Sequence, residues 1–205
     1  MTELLRAVVV AFDGLVADTL GARAQAIADA LTSEGTPTTI EAISAQVAGY
    51  SLEETIEHVL QQHALHHGQS LNYTTRDLAV LRARRSYSAI ISLGLPLQPN
   101  AIAWIVGRAA SGVKVILRAD SAREDVERLL QLSELGDTIA FARCSDDLPR
   151  VRGLTTTETA WNVIMQRLGV MQITPSVCRA IELSQSAAKI AQTRIFDVVL
   201  ASTLS

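Results

Sequence analysis

Val8-Val9-Val10-Ala11-Phe12-Asp13-Gly14-Leu15-Val16-Ala17-Asp18-Thr19 is the stretch on which the reading of this chain turns. The apolar, largely β-branched run from Ala7 to Phe12 suits a strand buried on both faces of a parallel sheet. It stops in a short acidic turn at Asp13-Gly14, and an alanine-rich helix follows Asp18-Thr19. Short acidic side chains accept backbone N–H bonds at turns and helix starts, which supplies a structural role for Asp13 and Asp18.

Outward from that stretch, helical patterning holds for a long way. The residues from 20 to 34 place Ala24, Ile27, Ala28 and Leu31 on one face, and Gly35 stops them. Thr39 precedes a short helix over 40–47, and Ser51 with Glu54 forms a capping box for a helix over 52–63. Thr74 or Thr75 starts another that runs to about 93, with Leu78, Leu81, Arg85 and Ile90 alternating between core and solvent. Nothing between 18 and 90 reads as a strand. From Leu95 the pattern changes: strands at 113–117, 139–142, 177–181 and 196–200 alternate with helices at 100–110, 121–132, 159–168 and 184–192. That alternation predicts a parallel α/β sheet with helices on both faces.

Composition sets the outer bounds. A chain of 205 residues with 48% hydrophobic and 19% charged residues is long and apolar enough for one good core. A net charge of −3 makes no electrostatic case for nucleic acid or an anionic membrane. The apolar run near the start is too short to span a bilayer, so membrane insertion is not expected. Cys144 and Cys178 are far apart and form no metal or redox motif; they read as buried, reduced thiols of a cytoplasmic protein.

The opening stretch resembles motif I of the haloacid dehalogenase (HAD) superfamily, D-x-D-G-[TV]-[LV]-x-[DE]-[ST]. Asp13-Gly14 and Asp18-Thr19 match it, while the nucleophile position falls on Ala11. Further landmarks follow in family order. Gly49-Tyr50-Ser51-Leu52-Glu53-Glu54 resembles the G-x-S-x-E-x turn of the helical cap. Arg84, Arg85 and Tyr87 resemble the R-K-x-x-Y stretch of its last helix, and Gly94 to Asn100 resembles the re-entry to the core. Ser121-Ala122-Arg123-Glu124 resembles the segment after motif II, and Asp146-Asp147-Leu148-Pro149-Arg150 the approach to motif III. The resemblance, to the β-phosphoglucomutase and CbbY-like branch, covers nearly the whole chain. It implies a HAD-like three-layer Rossmannoid core over 1–17 and 90–205, with an all-helical cap inserted over 18–89.

The functional positions depart from the pattern. The phosphate-binding Ser or Thr of motif II falls on Ala119. Motif III offers Arg152 or Thr155 where a lysine is usual, and the acidic pair of motif IV falls on Glu182-Leu183. In this family the nucleophile carboxylate and a motif IV Asp hold Mg²⁺, and Ala11 with Leu183 removes both. A carboxylate is needed to attack phosphorus and an acid to protonate the leaving oxygen, and one Asp cannot do both. The expectation is therefore a catalytically inactive HAD-like protein with no catalytic residues, no metal and no cofactor, kept as an accessory, scaffolding or regulatory subunit with another protein or complex as partner. Its interface candidates are Tyr50, Tyr73, Arg82, Arg84, Arg85 and Tyr87. The alternatives are a sensor of a phosphorylated metabolite and a weak HAD-type phosphatase. A small anionic ligand is a possible partner, with Arg118, Arg152 and Asp13 as its candidate residues; a pair of surface or ion-paired arginines, with Asp120 or Asp146 as counter-charges, is the plainer reading of Arg118 and Arg152. His63 and His67 lie one turn apart, but no third ligand is fixed, and a solvated helix end accounts for them. Core packing accounts for Trp104 and Trp161.

Overall fold

The computed structural model describes all residues except 1–3, 132, 134, 148–150, 152, 196, 202, 203 and 205. Strand β1 (Ala7–Ala11) is followed by four helices, α1 (Leu20–Ser33), α2 (Ile40–Ser44), α3 (Leu52–His66) and α4 (Tyr73–Ser92). Then come α5 (Pro99–Ala110), β2 (Lys114–Arg118), α6 (Arg123–Gln131), β3 (Ile139–Arg143), α7 (Thr156–Val170), β4 (Cys178–Glu182), α8 (Gln185–Gln192) and β5 (Asp197–Leu200). The sheet is parallel throughout, in the order β3-β2-β1-β4-β5. β1 is central because its apolar side chains tolerate burial on both faces: all five residues are buried. Alternation sends Val8 and Val10 into a large core beneath α1, α3, α4, α5 and α6, and Ala7 and Val9 into a second core beneath α7.

The helix ends follow local chemistry. Ser51 and Glu54 form the expected capping box on α3, and Thr155 with Glu158 forms a second one that starts α7 three residues earlier than expected. Asn72, not Thr74 or Thr75, caps α4, accepting from the N–H groups of both threonines. The buried stripe of α4 is Ala79, Ala83, Tyr87 and Ile91, whereas Leu78 and Leu81 face outward, which corrects the expected core positions. The reason lies in its neighbour: α4 packs along alanine-rich α1, and close helix approach favours small side chains. Cys144 and Cys178 are both buried free thiols. Among the described residues, no helix is long and apolar enough to cross a membrane.

Candidate functional site at the C-terminal ends of the strands

Asp13 follows β1 directly and is 3% exposed. Its Oδ1 accepts from Thr19 Oγ1 (2.7 Å) and from Ser121 Oγ. Its Oδ2 accepts from the backbone N–H of Asp120 (2.6 Å) and Ser121 (3.1 Å), in the loop after β2. The fully buried Arg23, on α1, brings Nη1 to 3.8 Å from Oδ1 and donates from Nη2 to the Val47 carbonyl. Burial pushes the Asp13 carboxyl upward. The Arg23 charge and the bonds from Ser121, Thr19 and the Asp120 N–H outweigh it and hold the group below the usual carboxylate range. Asp13 is thus an ionised, sealed anchor that fastens the turn after β1 to the loop after β2.

A second buried cluster lies beside it. Arg118, at the end of β2, pairs in register with Ala11 on β1. Its guanidinium passes across β1 to β4, where Nε and Nη2 each donate to Glu182 at 2.8 Å. Nη1 donates to Asp120, and Trp161 Nε1 adds a bond to Glu182 at 3.2 Å. Strands lie about 4.8 Å apart, so side chains from β2 and β4 meet over β1 only if the β1 residue is small. Ala11 supplies that space. Burial lowers the Arg118 pKa, but Asp120 and Glu182 more than compensate and keep the guanidinium protonated.

The sequence-predicted candidates do not gather at one place. Asp13 and Arg118 are brought to neighbouring clusters but are buried and already paired. Ala119 is buried, and Leu183 sits over Gly14, where φ is 83° and a Cβ would lie 2.5 Å from Leu183 Cδ2. Arg152 lies outside the described residues. Of the interface candidates, Tyr50 is partly exposed and Tyr73, Arg82, Arg84 and Arg85 are exposed. Arg82 pairs with Glu34 and Arg84 with Glu53. Tyr87 is 2% exposed and bonds Ser121 Oγ at 2.8 Å, so its placement on an interface is corrected: the hydroxyl reaches inward from α4 to the loop after β2. Arg23, Ser121 and Trp161 belong to the clusters and were missed. Arg23 carried a signal, a charge in line with Ile27 and Leu31 on the apolar face of α1.

A cleft of about 720 Å³ opens between α3, α4 and the segment from β3 to α7. Tyr50, His58 and Arg84 line it from the helical side, and Ser145, Asp146 and Thr155 from the sheet side. Glu54 bridges its walls: Oε2 accepts from Ser51 N, while Oε1 accepts from Thr156 N at the start of α7. A smaller cavity of about 310 Å³ lies between the α2–α3 corner and the start of α8. Among the described residues no group of three or more His, Cys, Asp or Glu is placed to hold a metal ion.

No family model matches the sequence, and no curated protein does. Solved structures do. A β-phosphoglucomutase from Clostridium difficile aligns with a TM-score of 0.76 at 14% identity, over 97% of this chain and 85% of that one. A predicted phosphoglycolate phosphatase from Haemophilus somnus aligns with a TM-score of 0.74 at 13% identity, over 93% and 82%. A haloacid dehalogenase-like family hydrolase from Streptococcus pneumoniae aligns with a TM-score of 0.70 at 16% identity, over 98% and 87%. These neighbours are named as a mutase, a phosphatase and a hydrolase. They overturn the expectation of an inactive accessory, scaffolding or regulatory subunit. The parallel sheet, its order and the four helices after the first strand give this chain the fold of the haloacid dehalogenase-like hydrolases.

Proposed function

We propose that this chain is a phosphatase of low turnover that binds a small phosphate monoester in the cleft beneath α3 and α4. The observation that carries the reading is that cleft, about 720 Å³ in volume, in a fold whose solved neighbours include named phosphatases. Ligands of parallel α/β sheets bind outside the carboxyl ends of the strands. Arg84 and Ser145 offer donors for phosphate oxygens, and His58 offers a base, whereas the Thr155 hydroxyl is committed to Glu158. Ala11 has no carboxylate to form an aspartyl-phosphate, and the route proposed is a single displacement by water. Water oxygen bonds to phosphorus, the ester P–O bond breaks toward the leaving alkoxide, His58 takes the proton from water, and solvent protonates the alkoxide. Loss of the covalent route keeps turnover low. Two buried thiols fit a reducing, cytoplasmic setting.

A second reading, retention of a phosphorylated metabolite without turnover, is favoured by the closure of Asp13 and Arg118 inside their clusters. Assays with p-nitrophenyl phosphate, phosphoglycolate and hexose phosphates test both. Turnover above a buffer blank, reduced by about 10²-fold in His58→Ala, is expected. Turnover indifferent to His58→Ala and Arg84→Ala would remove the cleft from the reaction. A blank-level rate with a saturable rise in melting temperature from a phosphosugar selects the second reading, and neither signal defeats both.

A further inference from the structure

The HAD resemblance implies a magnesium ion, and the residues at the strand ends can be tested for their fit to one. Mg²⁺ demands hard oxygen ligands in near-octahedral geometry. Ala11 and Leu183 bring a methyl and an isobutyl group where the family places carboxylates. The carboxylates of the two buried clusters are already occupied. Asp13 accepts four hydrogen bonds, and Glu182 and Asp120 close on the Arg118 guanidinium. The pocket does not fit the ion.

We infer that Arg118 is a tethered counter-ion that replaces a divalent cation at this site, so that the protein neither needs nor binds Mg²⁺ there. Three features support this. The guanidinium is 2% exposed and spans carboxylates from two separate places in the chain, the loop after β2 and the end of β4. Its fork matches Glu182 with two bonds of 2.8 Å, the bidentate geometry that fixes orientation as well as charge. Ala11, the strand partner of Arg118, leaves room for the side chain to cross β1. The absence of a carboxylate at position 11 and the presence of arginine at 118 are thus one arrangement: a fourth acid there would be uncompensated, and a larger residue would block the crossing.

The consequence is reciprocal. Without Arg118, the buried Asp120 and Glu182 lose their shared positive partner, and a divalent cation becomes the stabilising substitute. Thermal unfolding of wild type and Arg118→Ala in EDTA and in 10 mM MgCl₂ tests this, and a readout of stability keeps it separate from the phosphatase reading. Wild type is expected to melt at the same temperature in both, whereas Arg118→Ala rises by about 4 °C or more with saturation, because binding to the folded state alone stabilises it. A saturable Mg²⁺ shift in wild type overturns the inference, as does a folded Arg118→Ala with no metal response. Folding of the variant only with Mg²⁺ supports it. If the variant folds in neither condition, a Mn²⁺ titration of wild type followed by electron paramagnetic resonance decides: a free-ion signal undiminished by protein supports the inference, and stoichiometric loss of that signal overturns it.

Discussion

At the residue scale, Asp13 gains its significance from groups far along the chain. Replacing it by alanine strands the Asp120 and Ser121 N–H donors and leaves Arg23 without its facing carboxylate. Breaking a buried charge pair in this way costs about 3–5 kcal/mol, and urea unfolding of Asp13→Ala is expected to show a loss of that size. Acid should act through the same group. The Asp13 carboxyl sits below its reference value of 3.8 in the folded chain, so its contribution is complete above that pH and is lost as pH falls through the folded value. Asp120 and Asp125, raised chiefly by burial, act in the opposite sense just above pH 3.8. The contribution of Asp13 is therefore read as a difference: Asp13→Asn should lose less stability than wild type between pH 4 and pH 2. Parallel acid curves would contradict the ionised anchor.

At the element scale, the starts of α3 and α7 are joined through one side chain. Glu54 completes the capping box of α3 and accepts from Thr156 N at the first turn of α7, where the helix dipole favours an anion. Thr157 Oγ1 returns a bond to the Gly49 carbonyl. Glu54→Ala removes a cap and an anion together, and a loss of about 1–2 kcal/mol in urea is expected. A neutral result would assign the bridge no energetic role. Gly49 has φ of 86°, and a Cβ there would lie 2.6 Å from Ser184 Oγ, so Gly49→Ala should destabilise by more than an ordinary surface change. The comparison to make is Gly35→Ala, which is strained by its φ of 81° but meets no neighbour.

At the scale of the whole molecule, the helices after β1 and the sheet share one core. The larger cluster runs without a break from Val8 and Val10 through Ile27, Ile56 and Ile91 to Leu117 and Val126. Tyr87–Ser121 and Ser88–Asp125 add polar ties across the same boundary. Such a core should unfold as a unit. Trp104 and Trp161 both lie in the α/β part, on α5 and α7, so fluorescence reports that part while circular dichroism at 222 nm reports every helix. Coincident urea transitions by the two probes are expected; an earlier dichroism transition would show the helical segment opening by itself.

The order of strands and helices, the buried central strand and the Ser51–Glu54 cap were legible in the sequence, because each is encoded by neighbours or by a short period. The burial of α4 was not, since which face of a helix is covered depends on the width of the helix beside it, and alanines on α1 selected alanines on α4 over leucines. The sequence offered Arg118 an ion pair with nearby Asp120, which forms, but not its second partner: only the sheet order, with β1 between β2 and β4, placed Glu182, 64 residues away, within reach. Asp13 and Ser121 meet across 108 residues for the same reason. Local sequence determined which elements form and where they end. Only the tertiary structure decided which charges meet, because parallel strand order brings distant strand ends together and burial then leaves each charge no partner but those beside it.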